Sequence, residues 1–324
     1  MRGLRAPVQS VPVRLLVLML SASVFAAPAV WAASPTQADK PVHLSAESAL
    51  LLAPDGTVLF AKNPSEEHAP ASLVKLMTLY LACEALETGQ VQWEEPVTIS
   101  RHAAETPRYR MGLRAGEEVP FRTLLEGVAI ASANDAATAV AEHIAGSEEA
   151  FVELMNAQAA KLDLRSTHFA NAHGLPDPSG RSTAQDLAKL IGRVLQDYPA
   201  SRPLLGGASF VYRGRVHSRR IPLFQDPGGV QALKTGFTRE AGYNLAVAAW
   251  RAGQRFLLIV LGSQTRSLSF RDAQQLLRYG FVESGIEPPE PPRRPASPPP
   301  PPRKPTERRR HAAIAVVHRP APAN

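Results

Sequence analysis

The stretch Pro70-Ala71-Ser72-Leu73-Val74-Lys75-Leu76-Met77-Thr78 decides how the rest of the chain is read. It opens an apolar run from Leu73 to Leu81, which predicts a helix buried on most of its sides. Pro70 suits the place just ahead of such a helix, where a missing N–H costs least. Ser72 and Lys75 lie three residues apart and so share one helix face. A hydroxyl is a poor nucleophile until a base takes its proton. A lysine in an apolar setting loses part of its preference for the charged form and can be that base. The first helical turn adds free N–H groups and a positive dipole end, which suit a developing oxyanion. Alone, the pair is ordinarily a helix cap followed by a solvated lysine, so the catalytic reading depends on partners elsewhere.

Two downstream groups supply them. Ser132-Ala133-Asn134 lies between two helical runs; a hydroxyl beside an amide can pass a proton and hold a carbonyl. Its bland reading is a cap for the run that starts at Asp135. Lys234-Thr235-Gly236 is expected at the end of a strand, where the lysine and hydroxyl can bind a carboxylate. Gly236 would leave room for a substrate against the strand backbone. The bland reading is an edge-strand lysine before a turn glycine.

Together, and in this order, Ser-x-x-Lys, Ser-x-Asn and Lys-Thr-Gly resemble the motifs of the penicillin-recognising serine acyltransferases, which include penicillin-binding proteins and serine β-lactamases. The nine residues around Ser72, Ser132-Ala133-Asn134-Asp135-Ala136-Ala137, Phe169-Ala170-Asn171-Ala172-His173-Gly174-Leu175, and Lys234-Thr235-Gly236-Phe237-Thr238 followed by Ala241-Gly242-Tyr243 narrow it. They resemble the low-molecular-mass D-alanyl-D-alanine carboxypeptidases. The resemblance implies an α+β fold of the β-lactamase/penicillin-binding type, an antiparallel sheet flanked by helices plus a helical subdomain. It implies that Ser72 attacks the carbonyl between two D-alanines of a peptidoglycan stem peptide, with Lys75 as its base and Ser132 as a proton relay. It assigns Asn134 to the substrate backbone and to Lys75, Lys234 and Thr235 to the terminal carboxylate, and the N–H groups of Ser72 and Phe237 to the oxyanion hole. Gly236 belongs to the same binding strand. β-Lactams are the implied inhibitors, and neither a cofactor nor a metal is implied.

Three readings compete: a D,D-carboxypeptidase, a D,D-endopeptidase using the same chemistry on cross-links, and a serine β-lactamase. A non-catalytic cell-wall binding protein is an answer of another class. Class A β-lactamases carry Glu-x-x-Leu-Asn after the second group; the nearest run here, Glu153-Leu154-Met155-Asn156, lacks that spacing. The Ser132–Ala136 run leans toward the carboxypeptidase. His173 resembles a general base but sits in a turn-like His-Gly-Leu-Pro, and His68 and His102 read as surface residues. Arg239, Arg266 and Arg271 could help attract a carboxylate, but surface cations are the default reading and they are left out of the site.

Outward from these groups, Ala49–Ala53 and Val58–Ala61 flank Asp55-Gly56, the signature of a hairpin. Helices are expected over Phe121–Ile130, Asp135–Ile144, Glu148–Leu162 and Asp186–Leu195, from apolar residues at three- to four-residue spacing. Strands are expected at Val97–Ile99, Phe210–Tyr212, Val230–Leu233, Tyr243–Trp250 and Phe256–Leu261, with a closing helix from Phe270 to Phe281. Strands at both ends of the chain around a helical block suggest one antiparallel sheet with helices on its faces.

The two ends read differently. Arg2, Arg5 and Arg14 precede the apolar Leu15–Val24 and small residues up to Ala32, which predicts a signal peptide over 1–32 and export, in a periplasmic setting. Residues 33–284 would be the catalytic domain. Residues 285–324 are a Pro/Arg-rich stretch unable to build a core, expected to be disordered and a candidate for contact with an anionic membrane or wall surface. The family often adds a C-terminal β-domain and an amphipathic helix; neither is legible there. The formal net charge of +7 divides into +3 in the signal, +5 in the tail and −1 between, so the body shows no basic surface for nucleic acid. The lone Cys83 forms no internal disulfide and reads as a small core residue.

Overall fold

The computed structural model describes residues 42–225 and 229–287. The expected signal segment, and the expected tail beyond Glu287, lie outside the described residues. Strands β1 (Ser48–Leu52) and β2 (Val58–Lys62) form the expected hairpin, with Gly56 at φ +87° and the Thr57 N–H held by the Asp55 carboxylate at 2.9 Å. A 3-10 turn, Ala71–Val74, then runs into α1 (Lys75–Glu87), buried along nearly its whole length as its apolar sequence requires.

A helical block follows: β3 (Pro96–Thr98), α2 (Arg101–Glu105), β4 (Glu118–Pro120), α3 (Phe121–Glu126), a π-helical turn at Gly127–Ala131, α4 (Asn134–Ala145), α5 (Glu148–Lys161), α6 (Ala184–Asp197) and α7 (Ser201–Gly206). The chain returns through a hairpin of β5 (Ser209–Tyr212) and β6 (Arg215–Ser218) and a short α8 (Pro222–Gln225). It closes with β7 (Val230–Thr238), β8 (Gly242–Arg251), β9 (Gln254–Ser263) and α9 (Arg266–Glu283).

The main sheet is antiparallel, in the order β2-β1-β9-β8-β7, so both ends of the chain meet in it as expected. Period-two alternation divides its side chains between two cores. Phe256, Leu258 and Val260 of β9 face α9, while Leu257, Ile259 and Leu261 face the helical block. Helix α1 lies inside that block against α4, α5 and α6. Among the described residues no helix is long and apolar enough to cross a membrane.

One boundary differs from expectation in a way that matters. Strand β7 does not end near Leu233. Lys234, Thr235 and Gly236 lie within it, opposite Ala246, Leu245 and Asn244 of β8. The apolar pattern stops at Leu233, but backbone pairing continues to Thr238 because β7 is an edge strand, whose outer side needs no apolar partner.

Candidate active site

The site grows from the turn that carries Ser72. Ala71 adopts φ +50°, uncommon for a residue with a Cβ, and three segments clamp it there. A Cβ on Gly174 would lie 2.1 Å from the Ala71 carbonyl oxygen. A Cβ on Gly236 would lie 3.1 Å from the Pro70 oxygen and 3.2 Å from the Ser72 nitrogen. Asn244 of β8 donates to the Ala69 and Pro70 carbonyls at 3.0 and 3.3 Å, and accepts the Gly262 N–H at 2.9 Å. Gly236 was expected to make room for a substrate; the room it makes is for the turn of Ser72 itself.

Lys75, the first residue of α1, has no exposed surface. Its Nζ lies 3.3 Å from Ser72 Oγ and donates to Asn134 Oδ1 at 2.7 Å and to the His173 carbonyl at 2.5 Å. These acceptors are all uncharged. Burial pushes the amine down to about 7, against the opposing pull of the Asp135 and Glu148 carboxylates. An amine at that value carries free base near neutral pH, within reach of the serine proton.

Asn134 is not a cap. Its Oδ1 takes Lys75, and its amide NH2 donates to the carbonyls of Pro107, at 2.9 Å, and Arg108. The N-cap of α4 is Ala133, whose methyl side chain accepts no hydrogen bond. The neighbouring Asp135 carboxylate accepts the N–H groups of Met111, Gly112 and Leu113 at 3.1, 2.9 and 3.1 Å. That ties the 107–113 loop to α4.

Ser132 sits at φ +55° after the π-helical turn, and its Oγ accepts from Lys234 Nζ at 2.8 Å. Lys234 is also buried, and donates to the Thr235 carbonyl at 3.0 Å. Burial, then the like charges of Lys75 and Arg219, hold its amine well below the ordinary lysine range. Ser72, Ser132, Thr235, Gly236 and Phe237 line a cavity of about 690 Å3. Lys75, Asn134 and Lys234 stand behind its wall. The Phe237 ring, 40% exposed, stacks on Tyr243 with centroids 4.3 Å apart.

Several residues stand elsewhere than expected. Arg266 is an exposed cation, as expected, but it also lines the cavity, donates to the Arg220 carbonyl at 2.8 Å and lies over Phe270. The His68 side chain is 9% exposed and bonds Ser48 Oγ at 2.8 Å, because the β1–β2 hairpin covers it. His173 Nδ1 accepts the Leu175 N–H at 3.2 Å and its Nε2 lies 3.3 Å from Glu148, so both ring nitrogens are occupied. Burial pushes that imidazole down to about 4. Cys83, by contrast, is the buried core residue of α1 that was expected, its thiol pushed up to about 12 by burial.

Sequence reasoning missed Arg219. Its guanidinium donates to the carbonyls of Gly207, Ala129, Leu233 and Leu205 at 2.8, 3.2, 2.9 and 2.5 Å, joining α7, the π-helical turn and β7 at the cavity wall. In sequence it stands in Arg215-Val216-His217-Ser218-Arg219-Arg220, which reads as a solvated basic hairpin. Asn244 and Glu148 were missed too; only the position of Asn244, directly after Gly242-Tyr243, hinted at a role.

An antiparallel sheet against a helical block, with a serine and a buried lysine at their junction, defines the penicillin-binding-protein and β-lactamase class of fold. Penicillin-binding protein 5 of Haemophilus influenzae superposes with a TM-score of 0.73 at 32% identity, covering 75% of this chain and 72% of that one. Penicillin-binding protein D2 of Listeria monocytogenes, in its cefotaxime-bound form, superposes with a TM-score of 0.69 at 30% identity, covering 75% and 99%. The D-alanyl-D-alanine carboxypeptidase family model matches residues 34–265. The D-alanyl-D-alanine carboxypeptidase DacF of Bacillus subtilis is 36% identical over 251 residues, 75% of this chain and 64% of that one. The chain belongs to the D-alanyl-D-alanine carboxypeptidase family. It spans about three fifths of the length of the curated relatives it matches.

Proposed function

We propose that the protein is a serine D,D-carboxypeptidase that removes the terminal D-alanine of peptidoglycan pentapeptide stems through an acyl-enzyme on Ser72, and that penicillins acylate the same serine. One observation carries the reading: a fully buried lysine amine, held by neutral oxygens, 3.3 Å from a serine hydroxyl that opens onto a cavity.

Lys75 takes the Ser72 proton as Oγ attacks the peptide carbonyl. The N–H groups of Ser72 and Phe237 receive the developing oxyanion; β7 is an edge strand, so N–H groups on its outer side have no strand partner. Ser132, bonded to Lys234, passes a proton to the leaving D-alanine. Lys234 and Thr235 face its carboxylate, and Asn134 holds Lys75 in place. Water then hydrolyses the ester. Binding of a β-lactam is supported by the Listeria relative, whose structure carries cefotaxime.

The sequence signals over 1–32 support export to the periplasm. The Pro/Arg-rich 285–324 stretch is proposed to hold residues 33–284, the catalytic domain, near an anionic membrane or wall surface; co-sedimentation at low and high salt tests it. Digestion of purified muropeptides, read by mass, tests the activity. Release of free D-alanine from monomeric pentapeptides is expected. Loss of cross-linked dimers without that release would make the protein an endopeptidase instead.

A further inference from the structure

The buried carboxylate of Glu148 has no place in the chemistry above. It is the first residue of α5. Its Oε1 accepts the Ala172 N–H at 3.0 Å and lies 3.3 Å from His173 Nε2, while Oε2 lies 3.0 Å from His102 Nε2. Because His173 Nδ1 accepts the Leu175 N–H, the neutral ring carries its proton on Nε2, the nitrogen that faces Glu148 at 3.3 Å. One carboxylate therefore holds the Ala172 N–H to α5 and lies against the His173 ring. Thr78 Oγ1 donates to the Ala172 carbonyl at 2.6 Å and fixes the same segment to α1. The next carbonyl, that of His173, is the one that accepts the Lys75 amine.

Exposure changes sharply along this line. The side chains of Glu148 and His173 are 11% and 9% exposed, and that of His102 is 61% exposed. A path of contacts thus runs from solvent, through an exposed imidazole and a buried carboxylate, to the loop beneath the lysine.

We propose that Glu148 is a positioning residue for Lys75, presenting the His173 carbonyl to the amine and favouring its protonated form, and that His102 makes this influence depend on pH. The proposal rests on reading Lys75 as the base. The charged and titratable groups that face Lys75 are Asp135 of α4, Glu148 of α5, Lys234 of β7 and His173 of the loop; those that face His102 are Glu142 of α4 and Glu148 and Glu149 of α5. The hydrogen bond to Glu148 raises the His102 pKa. Below that titration the imidazolium offsets the Glu148 charge, and Lys75 releases its proton more readily. Above it the bare carboxylate favours the ammonium.

Two variants should move Lys75 in opposite directions. Glu148→Gln keeps an acceptor for the Ala172 N–H but removes the charge. The acid limb of the acylation rate should then move to lower pH, by about half a unit or more. His102→Gln alters an exposed ring and leaves Glu148 uncompensated, so the limb should move to higher pH. The measurement is the second-order rate constant for acylation by a fluorescent penicillin across pH, on the full chain. Beside it, 13C NMR of the lysine Cε carbons follows the Lys75 titration without needing catalysis. Opposite shifts in both readouts support the proposal. If both variants fold and neither displaces the Lys75 titration, Glu148 is only structural and the proposal fails. Should Glu148→Gln not fold, the shift in His102→Gln decides alone. A wild-type protein that never acylates, while its Lys75 titration still responds to Glu148, sinks the acyl-enzyme reading and leaves the electrostatic link standing.

Discussion

On one face of the sheet, Leu245, Val247 and Ala249 of β8 and Phe256, Leu258 and Val260 of β9 meet Phe270, Leu276, Leu277 and Phe281 of α9. The main polar intrusion is Asp272, whose carboxylate takes the Ser45 and Ala46 N–H groups at 2.9 and 3.0 Å. On the other face, Ala246, Ala248, Leu257 and Ile259 meet a helical block in which Lys75, Asn134 and Asp135 are buried, with Lys234 buried beside it. The first face gains from apolar burial with little polar group to desolvate. The second desolvates two ammonium groups and gives them neutral oxygens in place of counterions, at a cost in stability. On the function proposed above, the second face is where stability is given up for reactivity: an amine paired with a carboxylate would stay protonated and useless as a base.

The largest expected effect falls wholly on the second face. Ser72→Ala should abolish covalent penicillin labelling and D-alanine release while leaving the melting temperature nearly unchanged. Labelling that persists in this variant would end the assignment of the nucleophile. Lys75→Met should lower acylation about 1000-fold by removing the base. It should also change how stability depends on pH. The folded-state pKa lies below the unfolded one, so between about 7 and 10.5 the unfolded chain binds more protons and stability rises with pH. Below about 7 the penalty is complete, and above 10.5 it is absent. The variant should lose up to about 1.4 kcal/mol per pH unit of that slope, read from urea unfolding at several pH values. A slope equal to the wild type's would mean that the Lys75 amine is not desolvated.

Phe281→Ala should show the reverse signature. Phe281 is fully buried against Phe256, ring centroids 5.1 Å apart. Its truncation should destabilise by about 3–5 kcal/mol, with the acylation rate of the folded fraction unchanged. A matching fall in that rate would show that the two faces are mechanically coupled. The smallest effect is expected from Lys234→Ala. It should reduce the acylation rate constant for benzylpenicillin by about 10- to 100-fold, as one charge-assisted contact to the ligand carboxylate is lost. An unchanged constant would count against that contact.

Much of the fold was legible in local pattern. The Asp55-Gly56 hairpin, the largely apolar α1, the two-sided burial of β8 and β9 and the closing α9 each follow from the residue pattern over a short window. The elements that escaped, α2, α7, α8, β4 and β6, are three to six residues long, too short for a period to show. For the site, the residue types and order of the three groups were legible, while their supports were not. Arg219 looked like part of a solvated charge run, and Glu148 like an ordinary acid in a helix's first turn, because the carbonyls and imidazoles that engage them come from segments far away in sequence.

The sequence by itself determined which chemistry-bearing side chains exist, their order, and which segments must be buried, because apolar periodicity and backbone preferences act over a few residues. Only the tertiary structure decided that Asn134 binds Lys75 instead of capping α4, that Gly236 makes way for the serine's own turn, and that Lys234 reaches Ser132. It also decided that the exposed His102 meets the buried Glu148, whose other oxygen holds the loop beneath Lys75. The physical reason is that a lysine's proton affinity and an amide's partner are set by desolvation and by hydrogen bonds from distant segments. Those arise only when α1, α4, the 171–175 loop and β7 are packed together.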